Sequence, residues 1–391
     1  MKVLVLGVGM QGKAALHDLV ENADVEEVVA ADRDAAMLDA HADEMGYGDR
    51  VRFEELDVAN PAGLERLMAE GPDVVIDLLP PSLIGTVARS AVDHGVHLVN
   101  TMYATPELGE LAAEAEESGV TLLPELGMDP GIDLVLLGEG ARQFDRIDEI
   151  LSYGSGIPVP EDADNPLRYK VSWTFDGVLR SYDRPARVIQ RGKVVRFDAT
   201  EIFDNDEVHR VEVDEVGSLE AYPNGDVLDY VNLLGLDHNR LGRAGRYTMR
   251  YPGHCAFWNV MARLHLLDDA PILVEGVDVD KKEFLSRALE PQLRYGEDER
   301  DLAILRVEVA GLRDGEPARL VLQVVDRRDL ETGFTAMSRL VGFSASIGAQ
   351  MIGRGQIDGP GLLSPLRDVP YHPFTRALAN RGIEVVSWLE E

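Results

Sequence analysis

The chain has a single cysteine, Cys255, in 391 residues. That excludes an internal disulfide framework and a zinc site built on cysteine. Lysine is nearly as scarce: six lysines accompany 32 arginines, and these 38 bases face 70 acids, for a formal net charge of -32. A chain so short of positive charge does not suit nucleic acid, whose phosphates need a basic face. No stretch approaches the roughly 18 apolar residues of a membrane span, and no signal-peptide pattern precedes the first apolar run. A cytoplasmic protein with no membrane partner is therefore expected. The histidines show no H-E-x-x-H spacing, and no metal is expected. Repeats and low-complexity tracts are also missing. Acid spread along the whole chain suggests adaptation to high salt, where counter-ions screen a self-repulsion that otherwise strains the fold. A merely acidic enzyme of ordinary salt is the alternative.

What is present begins at once. Residues 1–6 read MKVLVL, and Gly7-Val8-Gly9-Met10-Gln11-Gly12 follow. An apolar run thus enters G-x-G-x-x-G, and a second run, 25–31, ends at Asp32, 20 residues past the last glycine. This is the dinucleotide-binding layout. Gly7 permits the tight turn, Gly9 lets backbone approach a pyrophosphate, and Gly12 lets the helix lie on the strand. Met10 and Gln11 open that helix, whose amides and dipole favour phosphate. Asp32 is placed to accept from a ribose 2′-hydroxyl, which favours NAD. Arg33 beside it leaves NADP possible. The bland alternative is a Gly-rich turn that holds nothing.

Up to about residue 124, short apolar runs at 3–6, 27–31, 51–56, 74–78, 97–100 and 121–124 alternate with helical patterns at 11–20, 35–44, 61–69, 83–93 and 106–118. The alternation predicts an α/β fold, a Rossmann doubly wound parallel sheet. Ligands then sit beyond the carboxyl ends of the strands. Leu79-Pro80-Pro81-Ser82 and Asn100-Thr101-Met102-Tyr103 follow two such ends and should line the site. Asp129-Pro130-Gly131-Ile132-Asp133 reads as a helix start. Beyond it, 188–197, 208–213 and 304–312 read as antiparallel strands, 162–166 as a loop, and 271–285 as strand and then helix. A helix rich in small residues covers 337–354, and a short one lies near 371–380.

Several blocks together resemble the saccharopine dehydrogenase family, closest to its glutamate-forming reductases and related to the lysine 6-dehydrogenases. They are the glycine fingerprint, Thr101-Met102-Tyr103-Ala104-Thr105-Pro106, Glu125-Leu126-Gly127-Met128-Asp129-Pro130-Gly131, Ser152-Tyr153-Gly154-Ser155-Gly156, Asn165-Pro166-Leu167-Arg168-Tyr169-Lys170, Tyr247-Thr248-Met249-Arg250-Tyr251 and Gly333-Phe334-Thr335-Ala336-Met337. The resemblance implies a Rossmann domain over 1–124 and an inserted α+β substrate and dimerisation domain over 125–339. C-terminal helices over 340–391 would then return to the first domain. It implies hydride transfer between a nicotinamide and the amine carbon of a small amino-acid substrate, with a homodimer as the assembly. Saccharopine leads as substrate. Direct oxidation of the lysine ε-amine, a carboxyspermidine-type amine and a non-catalytic NAD-binding sensor stay open.

Hydride transfer needs positioning, and proton transfers at the amine need a group tuned toward neutrality. Tyr103 and Lys170 are candidates for that work. Asp129 is a third, with a helix N-cap as its structural alternative. Carboxylates call for arginine. Alternation along a strand puts Arg246, Thr248 and Arg250 on one face. Asn224 and Ser155 are further candidates for the substrate. His254 and Cys255, as neighbours on a strand, would point opposite ways and form no nucleophile pair. The chain also departs from the reductase branch. Gly154-Ser155-Gly156 stands where Cys-Gly-Gly is usual, Asp176 where arginine is common, and Gly225 and Val227 where arginine and serine are expected. Those losses point to a smaller or less acidic substrate.

Overall fold

The computed structural model of the protein describes residues 1–22 and 25–390. The chain divides into two compact units: Met1–Gly138 with Ser338–Glu384, and Glu139–Met337 with the residues from Val385 on.

The first unit opens as β1 (Lys2–Leu6), α1 (Met10–Asn22), β2 (Glu27–Asp32), α2 (Ala35–Met45), β3 (Val51–Glu55), α3 (Pro61–Ala69), β4 (Val74–Asp77), α4 (Ile84–His94), β5 (His97–Asn100), α5 (Pro106–Glu117), β6 (Thr121–Leu123) and α6 (Ile132–Arg142). Its inner strands are short apolar runs, as a sheet covered on both faces requires, whereas the edge strand β3 reads VRFEE and is only partly buried. Val3 to Leu6 and Val74 to Asp77 are all buried. Local chemistry sets the helix ends. The Asp34 carboxylate accepts from the Met37 amide to cap α2, and Gly46 closes it in the left-handed region. Pro106 opens α5. At 129–131 the expectation changes. Asp129 precedes a cis Asp129–Pro130 bond and lies outside the helix, so it is not the N-cap. Asp133 instead accepts from the Gly131 amide at 2.7 Å.

The second unit follows as β7 (Arg146–Pro158), α7 (Phe175–Tyr182), β8 (Ala186–Gln190), β9 (Lys193–Phe197), β10 (His209–Val213), β11 (Gly217–Pro223), α8 (Leu228–Leu233), β12 (Arg243–Arg250), α9 (His254–Arg263), β13 (Ile272–Val274), β14 (Val277–Val279), α10 (Lys281–Leu289), β15 (Asp301–Arg313) and β16 (Glu316–Arg327). Then come α11 (Ala336–Gly353), β17 (Gly361–Leu362), α12 (Pro365–Asp368), α13 (Tyr371–Ala379) and β18 (Val385–Glu390).

The first sheet is parallel, in the order β17-β6-β5-β4-β1-β2-β3. The second runs β10-β11-β12-β7-β15-β16-β18, with β8 on β12 and β9 on β8. Its strands are mostly antiparallel, but β12 and β7 run parallel. The core of this unit is rich in tyrosine: Tyr169, Tyr182, Tyr222 and Tyr247 are fully buried with Trp258 and Phe175.

Three local expectations are corrected. The run 188–197 is two strands, turned at Arg191-Gly192, both with positive φ. The stretch around Lys170 is irregular, because its neighbours are held by Asn165 rather than by a ladder. His254 and Cys255 open a helix and are not on a strand. The end of the chain differs too. Residues 361–362 add a seventh strand on β6, and 385–390 do not stay with the C-terminal helices of the first unit. They pair along β16, with Leu320 opposite Leu389 and Val324 opposite Val385. The segment stays half-buried or exposed along its length, with Val386 and Leu389 among its exposed apolar side chains.

Candidate active site

In the first unit, the strand order reverses direction between β1 and β4, which is where an open α/β sheet leaves a crevice. The glycine loop lies there. Gly7 has φ 87°, and a Cβ on it would lie 2.8 Å from the Leu78 carbonyl oxygen. A Cβ on Gly12 would come within 1.9 Å of the Gly7 oxygen. Neither site can take a side chain. A Cβ on Gly9 meets nothing within 4 Å, so this side of the loop is open to a close ligand. Met10 and Gln11 begin α1, whose first amides have no acceptor inside the helix. Leu79, half-buried, and Pro80, exposed, follow β4 beside the loop. Bare backbone, open space and free amides fit the pyrophosphate of a dinucleotide.

Asp32 is bonded to the loop around it. Its Oδ2 accepts from the Val8 amide at 2.8 Å, and its Oδ1 accepts from the Asp34 amide at 3.1 Å. The carboxylate therefore shapes the glycine loop. Arg33 is exposed and forms no ion pair with any described residue.

The neighbouring strand ends are tied together by a buried pair. Asn100 Nδ2 donates to Asp77 Oδ2 at 2.8 Å, and the Leu79 amide donates to Asp77 Oδ1 at 3.1 Å. Asn100 Oδ1 accepts from the Met102 amide at 2.6 Å. Both side chains are wholly buried. Burial pushes the Asp77 carboxyl up to about 6, against the pull of its bonds from Leu79 and Asn100. Tyr103 is the next residue of this loop and is half-buried. The Glu125 amide donates to the Met102 carbonyl at 2.9 Å, and that of Leu126 to the Asn100 carbonyl at 3.0 Å. The segment leading to Asp129 is thereby laid against the Tyr103 loop, and Asp129 is half-buried.

In the second unit, β12 carries its side chains to opposite faces as the alternation requires. Tyr247 bonds Glu207 on one side. Arg246 donates to the Tyr230 hydroxyl at 2.8 Å and stacks over that ring. Thr248 Oγ1 accepts from Asn224 Nδ2 at 2.7 Å, and Asn224 Oδ1 accepts from Arg184 at 2.7 Å. Arg250 donates to the Met249 carbonyl at 2.9 Å, and its guanidinium carbon lies 5.1 Å from the Tyr169 ring. Ser155 Oγ donates to the same Met249 carbonyl at 2.8 Å. The structure thus links Asn224 with Thr248 and adds Arg184.

Lys170 is set apart from that group. It is buried, 3.0 Å from Asp164, and hydrogen-bonded to Glu299. Burial opposes its charge, but the bonds to Glu299 and Asp164 outweigh that and hold its pKa above the ordinary lysine value. A lysine so held is a poor base. His254 Nε2 shares a 2.8 Å hydrogen bond with the Tyr182 hydroxyl. Burial, with Glu220 nearby, pushes the Cys255 thiol up. The two make no nucleophile pair.

Asp77 and Arg184 escape a reading of the sequence. Asp77 ends an apolar strand and looks like any strand terminus. Arg184 precedes Pro185 in a turn, and only the fold brings it to Asn224.

The sequence matches the profile of the saccharopine dehydrogenase NADP binding domain over residues 3–123 and that of the saccharopine dehydrogenase C-terminal domain over residues 127–383. It is 27% identical to saccharopine dehydrogenase (NADP(+), L-glutamate-forming) of Saccharomyces cerevisiae, over 97% of each chain. Against the Schizosaccharomyces pombe protein of the same name it is 28% identical, over 84% of this chain and 87% of the other. Identity to mouse mitochondrial alpha-aminoadipic semialdehyde synthase is 27%, over 98% of this chain but 47% of the mouse protein. The chain thus spans about half the length of that relative. The solved apo saccharopine dehydrogenase (L-Glu forming) of Saccharomyces cerevisiae superposes with a TM-score of 0.87 at 25% identity, covering 100% of both chains. With its two halves matched in order by that family's two domains, the chain belongs to the saccharopine dehydrogenase family.

Proposed function

We propose that the protein is an NAD(P)-dependent oxidoreductase acting on the CH–NH bond of saccharopine, releasing glutamate. The observation that carries this reading is the end-to-end likeness to the Saccharomyces cerevisiae L-glutamate-forming enzyme, in sequence and in fold. The second unit supports it with cations suited to carboxylates. Gly225 lacks the expected arginine, but Arg184 reaches the adjacent Asn224, and Arg246 lies on the same strand as Thr248. We take Arg184 to supply the cationic character missing at 225.

A bound nicotinamide supplies the hydride acceptor. The chain's own part is to orient and to move protons. Tyr103 and Asp129 are the groups we assign to the amine nitrogen, because their two segments are bonded to each other in the first unit. Lys170 is assigned a structural role, given its two carboxylate partners. For the cofactor we favour NADP over NAD. Asp32 already accepts an amide at each oxygen, and Arg33 is exposed and unpaired among the described residues, open to a 2′-phosphate. We assign the protein to the cytoplasm and to a homodimer. The dimer is supported by the β13–β14 hairpin, where Leu273 is 72% and Val277 63% exposed. A lone two-stranded hairpin is marginal in water.

Steady-state kinetics of Arg246→Ala test the substrate reading. The expected result is a KM for saccharopine raised at least about tenfold, at roughly 1.5–3 kcal/mol per charged hydrogen bond, with NADPH affinity unchanged. An unaltered KM would count against the arginine face.

A further inference from the structure

We infer that Asp77 and Asn100 are a positioning pair, coupling the cofactor-side loop after β4 to the loop that carries Tyr103. The inference rests on the reading of those loops as parts of the active site. Its ground is a directional chain of bonds. Asp77 accepts twice, from Leu79 on one loop and from Asn100. Asn100 passes the link on by accepting from Met102, the residue before Tyr103. The Asn100 carbonyl also accepts from Leu126, and Met102 from Glu125, so the Asp129 segment hangs on the same hub. A carboxylate at 77 fixes the amide at 100, because only its NH2 can face an acceptor, which turns its oxygen to the Met102 amide. Burial leaves no water to mend a broken link.

The polarity of the chain gives the test. Asp77→Asn puts a donor against a donor, either at Leu79 or, if Asn100 flips, at Met102. Asn100→Asp sets two carboxylates face to face, which costs both. The exchange D77N/N100D restores every bond. The side-chain amide then at position 77 accepts from Leu79 and donates to the carboxylate at position 100, which in turn accepts from Met102. Both single variants should lose about 10- to 100-fold in kcat, and the exchange should return to within about threefold of the parent, in line with one buried hydrogen bond of ~1.5–3 kcal/mol. Asn100→Ala spares the Asp77–Leu79 bond. It should lower kcat while leaving the NADPH dissociation constant near the parent value.

Thermal melts run beside each assay. Melting points that fall and recover while kcat per folded molecule stays constant would overturn the inference, as would an exchange variant no better than the singles. If Asp77→Asn does not fold, Asn100→Ala carries the same test. If the parent shows no turnover with saccharopine, the substrate reading fails, and the pair is judged by NADPH fluorescence titration. Weakened binding in Asp77→Asn, restored in the exchange, would uphold it, and unchanged binding throughout would overturn it.

Discussion

His41, on the buried face of α2, is 1% exposed, and neither ring nitrogen has a hydrogen-bond partner among the described residues. Burial, with Lys13 nearby, lowers its pKa to about 4, and the Glu44 carboxylate at 3.9 Å only partly offsets this. The sign follows from linkage. The folded form keeps the ring neutral, so the stability it contributes is present above about 6.5 and is lost as pH falls toward about 4. Replacement by leucine removes that loss. His41→Leu should therefore gain stability over the parent by about 2 kcal/mol at pH 5 and little at pH 8. Thermal melts at the two pH values check this, and an equal effect at both would contradict it. Asp77 has the opposite sign. Its raised pKa means a contribution present below about 4 and lost as pH rises through about 6. Arg33 makes a cofactor prediction at the same scale. Arg33→Ala should lower kcat/KM for NADP about tenfold or more and leave that for NAD nearly unchanged, as loss of one charged contact implies. Equal loss with both cofactors would return Arg33 to the solvent.

At the scale of elements, one buried ion pair ties together three helices of the first unit. Arg381, just past α13, donates twice to Asp18 on α1, with its terminal nitrogen at 2.8 Å, and Gln350 of α11 adds a third bond at 3.2 Å. Removing the guanidinium leaves a buried carboxylate without its cation, bonded among the described residues only to the neutral side chains of Gln350 and Asn22. Arg381→Ala should cost roughly 3–5 kcal/mol, read as a fall in melting temperature. A melting point within error of the parent would show that the helices hold without it. Elements are also where the sequence is most legible. All six early strands and their helices are visible in it, since buried parallel strands are short apolar blocks with helical periodicity between them. The residues that escape depend on distant partners. The two-residue β17 exists only because Gly361 and Leu362 pair with Thr121 and Leu122. The pairing of β18 with β16 cannot be read from a tail of ordinary composition. Site residues follow the same rule. The glycine loop is local and legible. Arg184 reaches Asn224 from 40 residues away, and Asp77 meets Asn100 across 23. At Asp32 the spacing finds the residue but not its bonds to the Val8 and Asp34 amides.

At the scale of the whole molecule, charge dominates. Seventy acids against 38 bases repel one another at low ionic strength. Melting temperature should therefore rise between 0.1 M and 2 M KCl, where the screening length shrinks from about 10 Å to less than 3 Å. A flat or falling response would mean that ion pairs compensate the charge within the fold. The assembly is tested at the β13–β14 hairpin. Leu273→Asp should shift the protein from dimer to monomer in sedimentation, and an unchanged mass would place the interface elsewhere. Activity remains the central matter. The most direct measurement is reduction of NADP and NAD at pH 9 in molar salt, with saccharopine and lysine as parallel substrates and the products identified. The account predicts reduction with saccharopine, faster with NADP, and one glutamate released per cofactor reduced. Reduction with lysine alone, or none with either substrate despite NADPH binding, would contradict it.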